Sequence, residues 1–348
     1  VSLPTFSVLL GNYNKGSYIK KTLQAVLSQS LCPDEIIIID DCSTDNSVAI
    51  IKEILKEEPK IRFIQNEKNM GACYTLNRIV HEASCDYFHL VGTDDLVLPG
   101  FYEKSMKLVS QYPQAGLCSA VVQCYDIENK KLHVEPSPPY MSKNACYLSA
   151  ENFLSTYISY GCWYNGAVTF WRREPYMESG GFAPAELGSL TDTYKFFEMG
   201  LEYGACFIPE VLHTWTVTSS GFSGKTRLNP ERSLKLITRV EEIMINHPRS
   251  LFPSCFVEEF KRRELATFGN AIFDKMDSDQ NESLSFFKQA VSGNNVVDRL
   301  VIGFSKSLMW LQKSFLKIYL GFRLRRFNGV FLMRMIYHVK DCVKKLIK

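Results

Sequence analysis

The sequence has no apolar run long enough to cross a bilayer. Lys, Arg or Ser breaks each apolar stretch well short of the ~20 residues a spanning helix needs. No CxxC pair occurs among its eleven cysteines, which are scattered (Cys32, Cys42, Cys73, Cys85 and Cys118 in the first third). That argues against a zinc ribbon and against a disulfide framework, and for reduced thiols. No signal-peptide pattern opens the sequence, so a cytoplasmic placement is expected. There is no tandem repeat, although Leu265 to Gly293 faintly resembles one helical hairpin of a solenoid. Net charge is nearly lacking as well, at +3 over 348 residues, and the total says little about partners.

The distribution of charge says more. Residues 301–348 carry eleven Lys or Arg against the single acid Asp341, a local balance of +10 that leaves the other 300 residues at −7. A mildly acidic body thus bears a basic tail, which points to an anionic surface. With 46% hydrophobic and 22% charged residues, the composition is that of a globular protein.

The first half alternates strand-like and helix-like segments. Phe6 to Leu10 is an apolar run ending in Gly11-Asn12-Tyr13-Asn14. Ser17 to Gln29 places Ile19, Leu23, Val26 and Leu27 at helical spacing. Glu35 to Asp40 is a β-branched run suited to a strand buried on both faces. It breaks at Asp41-Cys42-Ser43-Thr44-Asp45, where Ser43 or Thr44 is expected to cap a helix running to about Glu57. Strands are predicted at Ile61 to Gln65, Tyr87 to Val91 and Gly116 to Cys124. Helices are predicted from about Ala72 to His81 and from Pro99-Gly100 to about Gln111. This order builds a mostly parallel sheet with helices on both faces. The stretch 125–217 is less regular, with Pro136 to Pro139 an expected exposed loop and Ala167 to Trp171 an expected strand. From about Asn229 the pattern is helical. Leu234, Ile237, Val240, Ile243 and Met244 form one stripe, Phe256, Phe260, Leu265, Phe268 and Ile272 a second, and a third helix is expected over about Ser283 to Val291.

Ligands of open parallel sheets bind beyond the carboxyl ends of the strands. Three polar clusters fall there: Asn12-Tyr13-Asn14, Asp40-Asp41 and Asp94-Asp95. Two acidic pairs on one sheet edge repel unless a cation or hydrogen-bond donors compensate, and Mg²⁺ or Mn²⁺ held by carboxylates and phosphate oxygens does so. Taken singly, Asp40-Asp41 reads equally as a strand end before a helix cap, and Thr93-Asp94-Asp95 as a solvated turn. Together, and downstream of the Tyr13 turn, they point to a metal-assisted nucleotide site.

These motifs resemble glycosyltransferase family 2. Phe6 to Asn14 (FSVLLGNYN) is similar to that family's opening strand and Tyr-Asn turn, with Ser28-Gln29 closing the next helix. Ile36 to Ser47 (IIIIDDCSTDNS) is similar to its second strand and turn, and Asn69-Met70-Gly71-Ala72 stands where the family has Asn-x-Gly. Thr93-Asp94-Asp95 matches the Asp-Xaa-Asp type of metal site, with Thr93 in place of the usual first acid or small residue. The resemblance covers about residues 5–217. It implies an α/β fold of the GT-A kind, with a Rossmann-like sheet flanked by helices and an α-helical C-terminal region. The division it suggests is 1–220 for the catalytic domain (1–124 nucleotide-sugar-binding, 125–220 acceptor-binding), 221–295 for a helical extension and 296–348 for a basic amphipathic tail.

The resemblance also implies roles. Tyr13 would stack on or edge the nucleobase, Asp41 would accept a hydrogen bond from it, and Asp94 would face the ribose or donor sugar. Asp95 would hold Mn²⁺ or Mg²⁺ on the diphosphate. Gly11 departs from the small hydroxyl residue often seen there and receives no role. Gly180-Gly181-Phe182 with Leu190-Thr191-Asp192 is similar to the segment that carries the base, Thr191 replacing a common Glu. Asp192 would then deprotonate the acceptor hydroxyl in an inverting displacement; as an alternative, it caps the helix that follows. Trp163 and His213 are candidate acceptor or diphosphate contacts, with core packing the plainer role for each, and Arg172-Arg173 is a weaker phosphate candidate. The Gln-x-x-Arg-Trp arrangement of processive synthases is absent, which favours addition of a single sugar.

The expected function is therefore transfer of one sugar from a nucleotide sugar (a UDP-sugar first) to a hydroxyl of a glycan or lipid-linked acceptor, in bacterial surface polysaccharide or glycoconjugate synthesis. The tail from about Val296 interleaves Trp310, Phe315, Phe322, Phe327 and Phe331 with Lys and Arg. Its end sets Lys340, Lys344 and Lys348 opposite Ile336, Val339, Val343 and Ile347. Such a stretch suits the inner, anionic face of a cell membrane or the surface of another protein. Nucleic acid is not indicated, since no recognition motif accompanies the charge. Two rivals remain at this stage. A nucleotidyltransferase would want a better Gly-rich loop than Gly11 to Gly16. A non-catalytic nucleotide-sugar-binding scaffold would not need Asp41, Asp94, Asp95 and Asp192 together.

Overall fold

A computed structural model of the chain describes residues 3–134, 142, 144–161, 165–182, 185–218, 229–274 and 286. The alternating pattern appears as β1 (Phe6–Asn12), α1 (Gly16–Leu27), β2 (Glu35–Asp40), α2 (Ser47–Glu57), β3 (Ile61–Gln65), α3 (Ala72–Glu82), β4 (Tyr87–Gly92), β5 (Leu96–Val97) and α4 (Phe101–Gln111). The second half adds β6 (Leu117–Asp126), β7 (Lys131–Val134), β8 (Cys146–Leu148), α5 (Ala150–Tyr160), β9 (Thr169–Arg172), α6 (Arg173–Glu178), α7 (Thr191–Tyr203) and β10 (Ala205–Val217). Two helices follow, α8 (Pro230–Ile245) and α9 (Ser254–Asp274).

All ten strands join one sheet along the path β3-β2-β1-β4-β9-β6-β10-β5, with β7 on β6 and β8 on β10. The β3-β2-β1-β4 half is parallel, while β9 runs antiparallel to both β4 and β6. Register fixes the chemistry at the edge, because Asn12 pairs with Asp40 and Gly11 with Gly92. The polar residues that end β1, β2 and β4 therefore share one rim.

The central strands are apolar on both faces because helices cover both. Val8, Leu10, Ile36 and Ile38 join a core with Ile19, Leu23 and Val26 of α1 and with Phe101, Tyr102 and Met106 of α4. Leu9 and Gly11 point the other way, and a Cβ on Gly11 would lie 3.3 Å from Leu76 of α3. Each of Ile36 to Ile39 is at most 6% exposed, and burying such a side chain contributes about 2 kcal/mol.

Three local expectations are corrected. Ser43 and Thr44 do not cap α2: its N-cap is Asn46, without a side-chain cap bond, and the Ser43 hydroxyl is taken by Asp40 at 2.6 Å. The strand expected from Ala167 starts at Thr169, because the Asn165 side chain accepts from the Ala167 N–H and winds Gly166–Val168 into a 3₁₀ turn. Asp192 does not cap α7 either; the N-cap is Leu190 and Asp192 lies inside the first turn.

The chain divides into two compact units, one of 1–155 with 163–218 and one of 156–162 with 219–348. The sheet and its rim belong to the first. In the second, Asn229 caps α8 by accepting from the Arg232 N–H at 2.8 Å. Phe256, Phe260, Leu265, Phe268 and Ile272 of α9 are buried, as their spacing implies. The Pro136 to Pro139 loop, nearly all of the third helix and the tail lie outside the described residues. Among the described residues no helix is long and apolar enough to cross a membrane.

Candidate active site

The ends of β1 and β2 are knitted into a rigid frame. Asp40 is fully buried and accepts from Asn12 Nδ2 at 2.7 Å and from the Ser43 N–H and hydroxyl at 2.9 and 2.6 Å. Asp41 is also buried and gathers the loop before α3, accepting from Asn66 Nδ2 at 2.7 Å and from the N–H groups of Met70 and Gly71 at 2.8 Å each. Burial pulls its pKa up, yet the bonds from Met70, Asn66, Gly71 and Thr75 together outweigh that and hold the carboxyl below its ordinary value. Gly71 has φ +88, a conformation that side chains other than glycine's strain to adopt. A carboxylate offers about four acceptor positions, so a nucleobase donor would have to displace one of these partners from Asp41. Tyr13, by contrast, stands 44% exposed on the rim.

The end of β4 is built differently. Gly92 to Asp95 form a tight turn closed by the Asp95 N–H on the Gly92 carbonyl at 3.0 Å. Thr22 of α1 pins the turn, its hydroxyl lying 3.1 Å from the Thr93 carbonyl and 2.8 Å from that of Asp95. The Asp95 carboxylate folds back over Gly92, where a Cβ would stand 2.5 Å from Oδ2. Its Oδ1 accepts from the Thr216 N–H of β10 at 2.8 Å. Its Oδ2 lies 3.7 Å from His213 Nε2. Burial, then the neighbouring Asp94, pushes the Asp95 carboxyl well above the usual carboxylate range. The Lys15 ammonium lies 2.5 Å from Asp94 Oδ2.

His213 is brought here by β10, whose pairing with β6 slips twice, between Ile208 and Val211 and between Val211 and His213. Bulges of this kind re-aim a side chain. The ring is fully buried, and among the described residues neither nitrogen has a hydrogen-bond partner. Burial lowers its pKa to about 3, so it is a neutral imidazole with a free lone pair. A separation of 3.7 Å is too long for a hydrogen bond. It is within the ~4.2 Å that two ligands at Mg²⁺-type bond lengths can span. Asp95 and His213 therefore fit a divalent cation. Among the described residues no group of three or more His, Cys, Asp or Glu forms a closed metal cage. An ion here would draw its other ligands from outside the protein, as diphosphate oxygens provide.

Asp192 is half-buried in the first turn of α7. Burial raises the pKa of the Cys73 thiol, in the first turn of α3, and the charge of Asp192 raises it further. The loop gathered by Asp41 leads directly into that turn. Arg172 and Arg173 are at the wrong end: Arg172 pairs with Tyr87, the first residue of β4, and its guanidinium donates to the Pro113 carbonyl at 2.6 Å. Trp163 lies outside the described residues.

The rim thus gathers Tyr13, Asp41, Asp94, Asp95 and His213, and the charge of Asp192, in the first turn of α7, is felt at Cys73 of α3. Lys15, Thr22, Gly92 and Thr216 are site residues that sequence reasoning missed. Lys15 directly follows the Tyr-Asn turn and could have been suspected. Nothing local marks Thr22 or Thr216, which reach the site only through tertiary pairing.

Residues 7–168 match the model of glycosyl transferase family 2. A Bacillus subtilis protein named as the teichuronic acid biosynthesis glycosyltransferase TuaG is 32% identical over 108 residues, 31% of this chain and 43% of that protein. The matched region thus spans less than half of that relative's length. Among solved structures, Staphylococcus aureus TarS 1–349 in complex with UDP-GlcNAc superposes with a TM-score of 0.61 at 14% identity, covering 94% of this chain and 90% of that one. The mannosyltransferase PcManGT of Pyrobaculum calidifontis, in complex with GDP-Man and Mn²⁺, gives 0.57 at 16% identity, covering 94% and 88%. At such identities the likeness is one of fold. With the ordered motifs and the sheet that carries them, it leads to one conclusion: residues 7–168 are similar to glycosyl transferase family 2, and the sheet that holds them has the GT-A fold.

Proposed function

We propose that this protein is an inverting, divalent-metal-dependent glycosyltransferase that moves one sugar from a nucleotide sugar to a hydroxyl of a glycan or lipid-linked acceptor. The observation that carries this reading is the pairing of the buried Asp95 carboxylate with a buried, unpartnered His213 nitrogen 3.7 Å away. A cation bound there would neutralise charge on the departing nucleoside diphosphate.

The chain's own residues supply the rest. Tyr13 gives the base an exposed ring to stack on. Asp94 accepts from hydroxyls of the ribose or donor sugar, and the frame around Asp41 shapes the base pocket. Asp192 takes the proton of the acceptor hydroxyl as that oxygen attacks the anomeric carbon; the bond to the diphosphate breaks on the opposite face and the configuration inverts. The relation to a teichuronic acid enzyme supports a surface polysaccharide as the product. The basic, aromatic-rich segment 296–348 supports an acceptor at an anionic membrane surface.

The test is binding and hydrolysis of UDP-, GDP-, dTDP- and CMP-sugars with Mn²⁺, Mg²⁺ or EDTA, on wild type, Asp95→Ala and Asp192→Asn. We expect one nucleotide class to bind with metal, binding to fall in Asp95→Ala, and Asp192→Asn to keep donor affinity while transfer drops about a thousand-fold. Failure of every nucleotide sugar to bind, with or without metal, would sink the reading.

A further inference from the structure

Lys15 directly follows the Tyr13-Asn14 turn. Its backbone is fixed: the Lys15 N–H donates to Ser47 Oγ at 3.1 Å, and the next N–H, of Gly16, to Asp45 Oδ2 at 2.9 Å. Its side chain is not fixed in the same way. The ammonium pairs with Asp94 Oδ2 at 2.5 Å, with the two side chains 31% and 18% exposed, so it can leave without crossing the core. A ligand that stacks on Tyr13 and ends at Asp95 must pass this pair. On the nucleotide-sugar reading given above, on which this inference rests, the part of the ligand that passes is a diphosphate.

We propose that Lys15 is the acidic pair's resident counter-ion and the diphosphate's binding partner. Arriving phosphates draw the ammonium off Asp94, and Asp94 is freed to accept from the ligand's hydroxyls. The divalent cation is then taken up together with the diphosphate rather than ahead of it. Charge explains the order. Before the ligand arrives, the adjacent acids Asp94 and Asp95 have one ammonium with them, already paired with Asp94. A cation arriving alone must compete with that ammonium for the same field. A diphosphate removes the competitor and brings anionic oxygens of its own. Lysine suits this exchange because it carries a compact charge on a flexible stem, and ammonium–phosphate bonds are among the strong charge-assisted ones. Coupling of this kind is reciprocal, so metal and diphosphate raise each other's affinity.

Lys15→Met and Lys15→Arg in the full chain test this. Mn²⁺ binding is read from the EPR signal of the free ion, alone and with saturating UDP or GDP. Binding of UDP and GDP, with uridine and guanosine as phosphate-free controls, is read by calorimetry in Mn²⁺. In Lys15→Met we expect Mn²⁺ alone to bind at least five-fold tighter and the preferred diphosphate at least ten-fold weaker, with its nucleoside unchanged. Lys15→Arg should stay within about three-fold of wild type in both. A Lys15→Met protein with wild-type melting temperature that binds Mn²⁺ and diphosphate as wild type does would overturn the proposal. So would a parallel fall in nucleoside and diphosphate binding, which would place Lys15 in the fold of the base site. If the wild type binds neither UDP nor GDP, the nucleotide reading of the rim fails first and this inference with it.

Discussion

The rim carries two acidic pairs, one after β2 and one after β4, the two parallel strands that flank β1. Asp40-Asp41, after β2, is saturated: each carboxylate is buried and holds three or more donors, among them backbone N–H groups of the following loops. Asp94-Asp95, after β4, is not. Asp94 leans on one partly exposed lysine, and Asp95 has one backbone donor and a histidine out of hydrogen-bond range. The same residue types at the same kind of position thus do opposite work. The first pair spends its charge on holding the frame. The second is compensated only by a partly exposed, exchangeable ammonium, which suits a site for a cation and an anionic ligand.

The contrast has thermodynamic signs that can be broken by mutation. Asp41, whose folded pKa is lowered, contributes stability that is present above the ordinary Asp range and is lost as pH falls through the folded value. Asp95, whose folded pKa is raised, works the other way: its ionisation costs stability as pH rises from the ordinary range toward the folded value. The largest expected effect is therefore a crossed pair. Asp41→Ala should cost about 3 kcal/mol in urea unfolding, because it strands an amide and two backbone N–H groups. Asp95→Asn should match or exceed wild-type stability in metal-free buffer at pH 7, yet lose about a thousand-fold in sugar transfer. If both substitutions destabilise alike, the division of labour is wrong.

A smaller effect sharpens the description of the β4 turn. Gly92→Ala puts a methyl group 2.5 Å from Asp95 Oδ2 and must shift that carboxylate. Transfer should fall about ten-fold, equivalent to roughly 1.4 kcal/mol in the barrier, and Mn²⁺ affinity should fall with it, while the urea midpoint moves little. An unchanged Mn²⁺ affinity would show that the carboxylate is not held where it is needed. The smallest effect concerns what lies behind the site. His89 is buried against Phe101, Tyr102 and Phe170, and its Nε2–H donates to the Ala167 carbonyl, 2.8 Å away. Burial first, then His213, lowers its pKa from 6.5 to about 3. The stability that depends on a neutral His89 is therefore fully present above about pH 6.5 and declines as pH falls toward 3. In His89→Phe the decline over that window should be shallower, as read from thermal unfolding at a series of pH values.

Much of this molecule is legible without coordinates. Continuous apolar and β-branched runs mark strands and 3.6-period stripes mark helices, and the parallel half of the sheet follows from their alternation. Where local chemistry was the guide, the results were mixed. Ser43 looked like a helix cap, but the adjacent Asp40 offers its hydroxyl a buried acceptor and the helix starts later, at Ser47. Asp192 looked equally suited to a cap, but the 3₁₀ turn before it carries the start of the helix back to Thr191.

Which residues end the strands is written locally, in apolar runs and turn chemistry, and this local order places Tyr13, Asp41, Asp94 and Asp95 at strand ends. The surroundings of those acids come from strand pairing over long separations. The donors that saturate Asp41 come from a loop 25 to 30 positions away, the ammonium on Asp94 from 79 positions away, and the N–H on Asp95 from 121 positions away. A carboxylate's role depends on its burial and its partners, and at such separations both are set by how the strands pair and not by the residues beside it in the chain.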